Sequence, residues 1–301
     1  MAGNVNSFIS KLHKELETSV NRINNSTVGA QRKIYAELLD LLKQLEVDSN
    51  GQIKNSVQNI IKISSLKQRI NAAILNKEWI KSSGDFVKAF DVVSQLQSNY
   101  FSTLISDFNP PQVLDAVKQD AITSVLDQLR GDGVKVSVAK GVEDILRRNI
   151  KSGASFADMV DTMRSYIVKD SSGDGILQRY VKQITTDAIN QYSATYNKVV
   201  VDDLGFEWFR YTGSNLETTR EFCTLMTDKD YFHISELKTI LAGTIDGHKY
   251  HINPKTDLWD GAIKGTNEQN FFINRGGWQC GHQIIAVPES SVPESYKSKI
   301  K

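Results

Sequence analysis

Residues 176 to 213 read ILQRYVKQITTDAINQYSATYNKVVVDDLGFEWFRYTG, and this stretch joins two kinds of structure. The part from Ile176 to Leu204 predicts one long helix, and Gly205 stands where a helix C-terminus favours glycine. The residues that follow, from Phe206 to Thr212, alternate like a strand. The sequence therefore predicts a change here from a helical region to a mixed module.

Toward the N-terminus, residues 1–108 predict a helical bundle or an extended helical arm. Apolar residues recur at steps of three or four, starting with Val5, Ile9, Leu12 and Leu16. The turn-forming run NNSTVGA, residues 24–30, is expected to separate the first two helices, and the serine pair 64–65 is expected to break the third. The run DFNPPQ ends the fourth helix, because proline cannot continue a helix.

Shorter helical patterns fill residues 109–205, which predict a helical subdomain that ends in the long connecting helix. A GDG turn is expected at residues 131–133, a helix end at Gly153 and a serine cap just after it. Residues 206–288 predict a small α+β module with long loops, and residues 289–301 a tail. The fold class is therefore mainly α, with a small α+β module at the C-terminus.

Composition limits the classes of protein that fit. The 301 residues carry a formal net charge of +1, which gives no global attraction to nucleic acid or to an anionic membrane. We find no apolar run long enough to span a bilayer and no signal-peptide pattern, so no membrane partner is expected. Two cysteines 57 positions apart do not form a disulfide scaffold, which favours a reducing cytoplasm.

The run NRGGWQCGHQIIAV, residues 274–287, concentrates glycine, tryptophan, cysteine and histidine. Cys280 and His282 are separated by one residue, so on an extended backbone both side chains point to one face and could share an ion. Cys223 and one further histidine would complete four nitrogen and sulfur ligands around zinc. His251 is the candidate that we assign, with His233 and His248 as alternatives.

Two other interpretations stay open at this stage. Both cysteines could be small buried thiols, with the two glycines forming a turn and Trp278 filling the core, because no compact C-x-x-C or H-x-x-x-H pair is present. A catalytic interpretation pairs a thiol with histidine, or uses HKYH at 248–251 with Asp246 and Arg275 to cleave RNA. No triad spacing, nucleophile elbow or phosphate loop supports catalysis, and no enzymatic activity is expected.

A basic run lies in the third helical region. Its members include Lys54, Lys62, Lys67 and Arg69, and Glu78 is the one acidic residue beside them. Such a run is usually a solvated helix face. A contact with packaged DNA through these side chains is the functional alternative.

The order of four elements resembles the phage head morphogenesis, or Mu F-like minor head protein, family. These elements are KSGASFADMVDTMRSYI, TTDAINQYSATYNK, GFEWFRYTGSNLETTREFCTLM and GGWQCGHQ. The resemblance covers about residues 110 to 290. The closing pattern departs from the family's His-Pro-x-Cys-x-Cys, because here it reads Trp278-Gln279-Cys280-Gly281-His282.

The resemblance implies a minor capsid protein that acts in head morphogenesis. Such a protein would bind the portal, the major capsid shell or scaffold proteins during assembly in the host cytoplasm, and would stay in the virion. The alternative from another class is a toxin-like nuclease or effector module carried on a helical delivery arm.

Overall fold

The computed structural model describes residues 2–168 and 174–300, apart from the side chains of residues 2, 3, 66, 67, 71, 73 and 74. It is mainly helical with a small C-terminal sheet, which confirms the predicted fold class. The longer helices are α1 (Ala2–Leu42), α2 (Val57–Ile74), α3 (Lys77–Leu104), α4 (Val113–Arg130), α6 (Gly141–Ser152), α7 (Phe156–Ile167) and α8 (Ile176–Leu204). The shorter helices are α5 (Asp132–Val134), α9 (Glu221–Lys229), α10 (Leu237–Leu241), α11 (Phe271–Asn274) and α12 (Glu294–Lys297).

Within the described residues, five short strands form two antiparallel sheets. The strands are β1 (Trp208–Thr212), β2 (Tyr231–His233), β3 (Thr244–Ile245), β4 (His248–Lys249) and β5 (Gln283–Ala286). The larger sheet has the order β2-β1-β5, with Phe209 opposite both Phe232 and Ala286. Strands β3 and β4 form a separate hairpin. The central strand β1 therefore carries its side chains into the middle of the C-terminal module.

The chain divides into two compact units that each combine distant segments. The first unit contains Met1–Thr18, Lys88–Ile122 and Thr186–Lys301. The second contains Ser19–Val87 and Thr123–Thr185. The boundaries predicted at 108, 205 and 288 stay predictions.

In the first unit, side chains from two helices cover the outer edge of β5. Asn197 on α8 donates a 2.6 Å hydrogen bond to the carbonyl of Ile284, and Tyr100 on α3 donates one of 2.6 Å to the carbonyl of Ala286. An uncovered strand edge presents unpaired backbone groups. These two side chains satisfy the carbonyls of β5 and join the sheet to the helices of its unit.

In the second unit, local signals in the sequence act as expected. Gly153 ends α6 in the left-handed conformation, with φ 64° and ψ 39°. Ser155 caps α7 by accepting a hydrogen bond from the backbone N–H of Asp158. The indole N–H of Trp79 donates to the carbonyl of Leu129 at 2.8 Å, so a buried aromatic ring has its polar atom satisfied.

The predicted break at residues 24–30 is wrong, because α1 runs unbroken from Ala2 to Leu42. The polar side chains that suggested a turn bond inside the helix instead. Ser26 donates to the carbonyl of Ile23 and Thr27 to that of Asn24, both at 2.6 Å. Serine and threonine hydroxyls can donate to a carbonyl of the preceding turn in this way without ending the helix.

The break predicted at the serine pair 64–65 is also wrong. Helix α2 passes through Ser64 and Ser65, whose hydroxyls donate to carbonyls three residues earlier, at 2.7 Å in both cases. A bend at Gly131 separates α4 from α5, as expected for a turn at 131–133, but Asp132 and Gly133 already belong to α5. The chain then passes through a π-helical stretch, Lys135–Lys140, into α6. Gly133 is needed there for close packing, since a side chain would collide with the hydroxyl of Tyr180.

Candidate metal centre

Three sequence-predicted side chains meet inside the C-terminal module. Cys223 lies in the first turn of α9, and Cys280 and His282 lie in the loop that leads into β5. Their ligand atoms are all within 4.8 Å of one another, and all three residues are buried. The Cys280 sulfur is 3.6 Å from Nδ1 of His282. This cluster could hold a metal ion.

The surrounding glycines make room for the cluster. A Cβ at position 276 would collide with the Cys223 sulfur and would lie 2.8 Å from the Cys280 sulfur. A Cβ at position 213 would collide with the ring of His282. Glycine at these two positions lets the backbone approach the thiols and the imidazole, which is a different role from the turn that the sequence suggested.

The His282 ring is held on both sides. Its Nε2 atom lies 3.3 Å from Oδ1 of Asn215, and the ring stacks on Tyr211 with centroids 5.4 Å apart. An amide oxygen can only accept a hydrogen bond, so the contact is a hydrogen bond in the tautomer that carries the proton on Nε2. The lone pair of Nδ1 then faces the Cys280 sulfur, in the arrangement that metal-binding histidines use.

Tyr211 is the fourth polar side chain at the centre. Its hydroxyl is 3.4 Å from the Cys223 sulfur and 3.8 Å from the Cys280 sulfur. Burial raises the pKa of Tyr211 well above its ordinary value, and the neighbouring thiols add to this effect. In the absence of a metal the hydroxyl is therefore protonated and donates toward sulfur.

The pKa values of the two thiols are shifted in opposite directions. Their mutual hydrogen bond raises the pKa of Cys223, and burial raises it further. The same hydrogen bond lowers the pKa of Cys280 against the effect of burial, with help from His282 and Arg275.

Two arginines and one carboxylate surround the thiols. Arg275 is only 2% exposed and donates to the backbone carbonyls of Asn190 and Ile273, at 3.1 and 2.7 Å. Arg220, which immediately precedes α9, donates to the carbonyl of Trp278 at 2.6 Å. Burial raises the pKa of Asp187, although a hydrogen bond from the backbone of Gln279 and the charges of both arginines oppose this.

The remaining predicted site residues are not brought to the cluster. His251, assigned as the fourth ligand, is exposed, and its Nδ1 lies 3.1 Å from Oδ2 of Asp260. His248 is exposed on β4, and the ring of His233 bonds to Ser235. The assignment of His251 as a ligand therefore needs correction, because its loop pairs it with Asp260 on the surface.

The acid/base set considered for RNA cleavage does not assemble either. Asp246 forms ion pairs with Lys229 and Lys299. The guanidinium of Arg275 is buried against backbone carbonyls. The residues that would have to act together with His248 and His251 are thus engaged in structural contacts.

Sequence reasoning missed Tyr211, Asn215 and His13. Tyr211 follows Phe209 on the inward side of an alternating strand, so the pattern could have placed it in the core beside the thiols. No pattern in the sequence pointed to His13 as a residue near the cluster. Burial lowers its pKa, the charge of His282 adds to this, and its Nε2 is buried with no hydrogen-bond partner in the part of the chain that the structure describes.

The basic run is partly neutralised within its own unit. Arg69 forms a 3.0 Å ion pair with Glu37, and the ammonium of Lys62 donates to the carbonyl of Gln44. Lys54 is exposed, and the side chain of Lys67 lies outside the described residues. Contact with packaged DNA stays a prediction.

Comparison of the chain with protein-family models, with curated proteins and with solved structures gives no match. Across residues 2–168 and 174–300, no helix has the length and apolar character needed to cross a membrane.

Proposed function

We propose that this chain is a phage minor head protein that acts in head morphogenesis, and that a structural zinc ion closes its C-terminal module. The observation that carries the proposal is the buried cluster of Cys223, Cys280 and His282. Two thiolates and an imidazole are typical ligands of structural zinc in proteins. In the metal-bound state these three side chains would hold the ion, which would join α9 to the loop before β5.

The distances within the cluster fit such an ion. Zinc binds sulfur at about 2.3 Å and nitrogen at about 2.0 Å, so a sulfur and a nitrogen of one tetrahedron lie about 3.5 Å apart. The Cys280 sulfur and Nδ1 of His282 are 3.6 Å apart. Gly276 supports the same conclusion, since any side chain there would fill the space beside both sulfurs.

The environment favours a structural ion over a catalytic one. A catalytic zinc site keeps a position open to water or substrate, whereas a structural site is closed. Here all three ligand residues are buried, and Tyr211, which is fully buried, covers both sulfurs. We therefore assign the module to assembly and not to hydrolysis of RNA.

The assembly role draws support from the family resemblance and from the surface of α2. Val57, Ile60 and Ile61 share one face of this helix, and Val57 is 71% and Ile61 55% exposed. Apolar residues at such spacing suit contact with a partner helix. The portal, the major capsid protein and scaffold proteins are the proposed partners, first in the host cytoplasm and then in the virion.

The zinc proposal is tested by substitution and melting. Cys280→Ser should lose the ion, and the C-terminal module should then melt earlier and less cooperatively, because metal-binding energy contributes to folding. A chelator should have the same effect on the wild-type protein and little effect on the variant. An unchanged melt in both experiments would leave the thiols as packing residues.

The assembly proposal is tested by co-expression with the portal and capsid proteins of the same phage. Ile61→Asp should reduce incorporation into particles, while Gln68→Asp on the same helix serves as the control, since both side chains are exposed. Equal incorporation of both variants and the wild type would contradict docking through α2. Absence of the wild-type chain from particles would contradict the assembly role itself.

A further inference from the structure

The zinc centre proposed above has three protein ligands, and a closed tetrahedral site needs a fourth. The hydroxyl oxygen of Tyr211 is next to both sulfurs, at 3.4 Å from Cys223 and 3.8 Å from Cys280. With zinc bonds of about 2.3 Å to sulfur and about 2.0 Å to oxygen, the expected separation of these atoms is about 3.5 Å. The two observed distances lie on either side of this value.

We propose that Tyr211 supplies the fourth ligand, so that two thiolates, one imidazole and one phenolate hold the ion. This inference rests on the proposed zinc centre. The position of Tyr211 is well fixed without the ion. The residue pairs with Ile284 in the sheet, its ring stacks on His282, and its side chain is fully buried. Little rearrangement is therefore needed for coordination.

The charges around the centre favour an anionic fourth ligand. Arg275 is buried and carries one positive charge, whereas Arg220 and Asp187 are partly exposed to solvent. A zinc ion with two thiolates is neutral, so one positive charge would remain in a buried region, where uncompensated charge is costly. A phenolate at Tyr211 restores neutrality. Among the described residues, no carboxylate forms an ion pair with Arg275, which is consistent with a counter-charge at the metal.

Ligation is balanced without any change of oxidation state. The O–H bond of Tyr211 and the S–H bonds of Cys223 and Cys280 break, bonds from zinc to the oxygen and to both sulfurs form, and three protons pass to the buffer. His282 binds as the neutral imidazole. No oxidant, reductant or further reactant is required.

His13 is the main competing ligand. Its buried Nε2 has no partner among the described residues, and its charge interacts with that of His282. A histidine would complete the common set of two cysteines and two histidines. However, His13 is not a member of the group whose ligand atoms lie within 4.8 Å of one another, whereas Tyr211 contacts both sulfurs.

The test is an ultraviolet difference titration of zinc into the metal-free full-length protein. Coordination by Tyr211 should produce the difference spectrum of tyrosinate, saturating at one zinc per chain. Tyr211→Phe should abolish this signal and weaken zinc binding by about 100-fold or more, beyond the usual effect of removing an outer hydrogen bond. Tyr250→Phe is the matched control, because that buried hydroxyl donates to the carbonyl of Ile240.

The outcomes separate the two proposals. A wild-type chain that takes up no zinc contradicts the zinc centre as a whole. Zinc uptake without a tyrosinate signal overturns only the role of Tyr211, and this result needs no variant. If His13→Ala loses zinc while Tyr211→Phe keeps it, the fourth ligand is His13 and the inference is wrong.

Discussion

The hydroxyl of Tyr100, on α3, donates a 2.6 Å hydrogen bond to the carbonyl oxygen of Ala286, at the end of β5. The Tyr100 ring also stacks on Phe8 of α1, with centroids 4.2 Å apart. Residues near the N-terminus and in α3 therefore belong to the same compact unit as the C-terminal sheet.

Tyr100→Phe should destabilise this unit by about 1–3 kcal/mol, because a buried carbonyl of β5 would lose its partner. The measurement is chemical denaturation followed by tryptophan fluorescence, which reports on the module through Trp208 and Trp259. Tyr35→Phe is the control, since that hydroxyl makes no hydrogen bond among the described residues. Equal midpoints for both variants would show that the contact at β5 adds no stability.

Gly276→Ala should prevent zinc binding, because the added methyl would collide with the Cys223 sulfur and crowd that of Cys280. We also expect a loss of about 1–3 kcal/mol in the free energy of unfolding, as for other overpacked cores. Gly281→Ala is a matched control, with nothing within 4 Å of its added Cβ. The measurements are the zinc content and the melting temperature of the two variants. Normal zinc content in Gly276→Ala would argue against an ion between these thiols.

Asp246→Asn should destabilise the protein at neutral pH by about 3 kcal/mol, because the buried ammonium of Lys229 would keep only Glu236 as its partner. Asparagine also tolerates the left-handed backbone at this position, where φ is 46°. Asp257→Asn is the control, since Asp257 has a similar backbone, with φ 54°, and is exposed.

The effect of Asp246 should depend on pH. Burial opposes ionisation, but hydrogen bonds from Lys229 and Lys299 lower the pKa of Asp246 below its ordinary value of 3.8. A lowered carboxyl pKa adds stability above the unfolded value, and this stability is lost as the pH falls through the folded value. Unfolding curves of wild type and Asp246→Asn should therefore differ from pH 7 down to the ordinary carboxyl pKa of 3.8, and converge only at lower pH, as Asp246 is protonated in the folded state. A constant difference over this range would exclude the ion pair as the cause.

The combined replacement of His248 and His251 by alanine should leave zinc content, melting and particle incorporation unchanged. Both residues are exposed, and neither belongs to the buried cluster. The same pair gives a test of the nuclease alternative. Cleavage of RNA by the wild-type protein that disappears in this variant would replace the assembly interpretation.

Local patterns in the sequence predicted much of the fold. The periodic run from Ile176 to Leu204 forms α8 with these same ends, and Gly205 follows in the left-handed conformation, with φ 67°. The alternation after Gly205 forms β1, and the Asp246–Gly247 pair, a typical hairpin signal, connects β3 to β4. These features depend on neighbours in the chain, which the sequence displays directly.

The details of the site depend on residues that are distant in the chain. Cys223, Cys280 and His282 were predicted together from their chemistry, but the place of His251 was decided by the loop that pairs it with Asp260. Gly276 was interpreted as a turn residue, and its contact with both thiols is visible only after folding. In the same way, residues 24–30 continue α1 although they are turn-forming. The packing of the helix before and after them outweighs their weak local preference for a turn.

The measurement that tests the account most directly is X-ray absorption at the zinc edge, with elemental analysis, on protein purified without chelator. We predict close to one zinc per chain, with two sulfur ligands at about 2.3 Å and two nitrogen or oxygen ligands at about 2.0 Å. A folded protein that contains no zinc, gains none when zinc is supplied and melts identically with and without it would contradict the account.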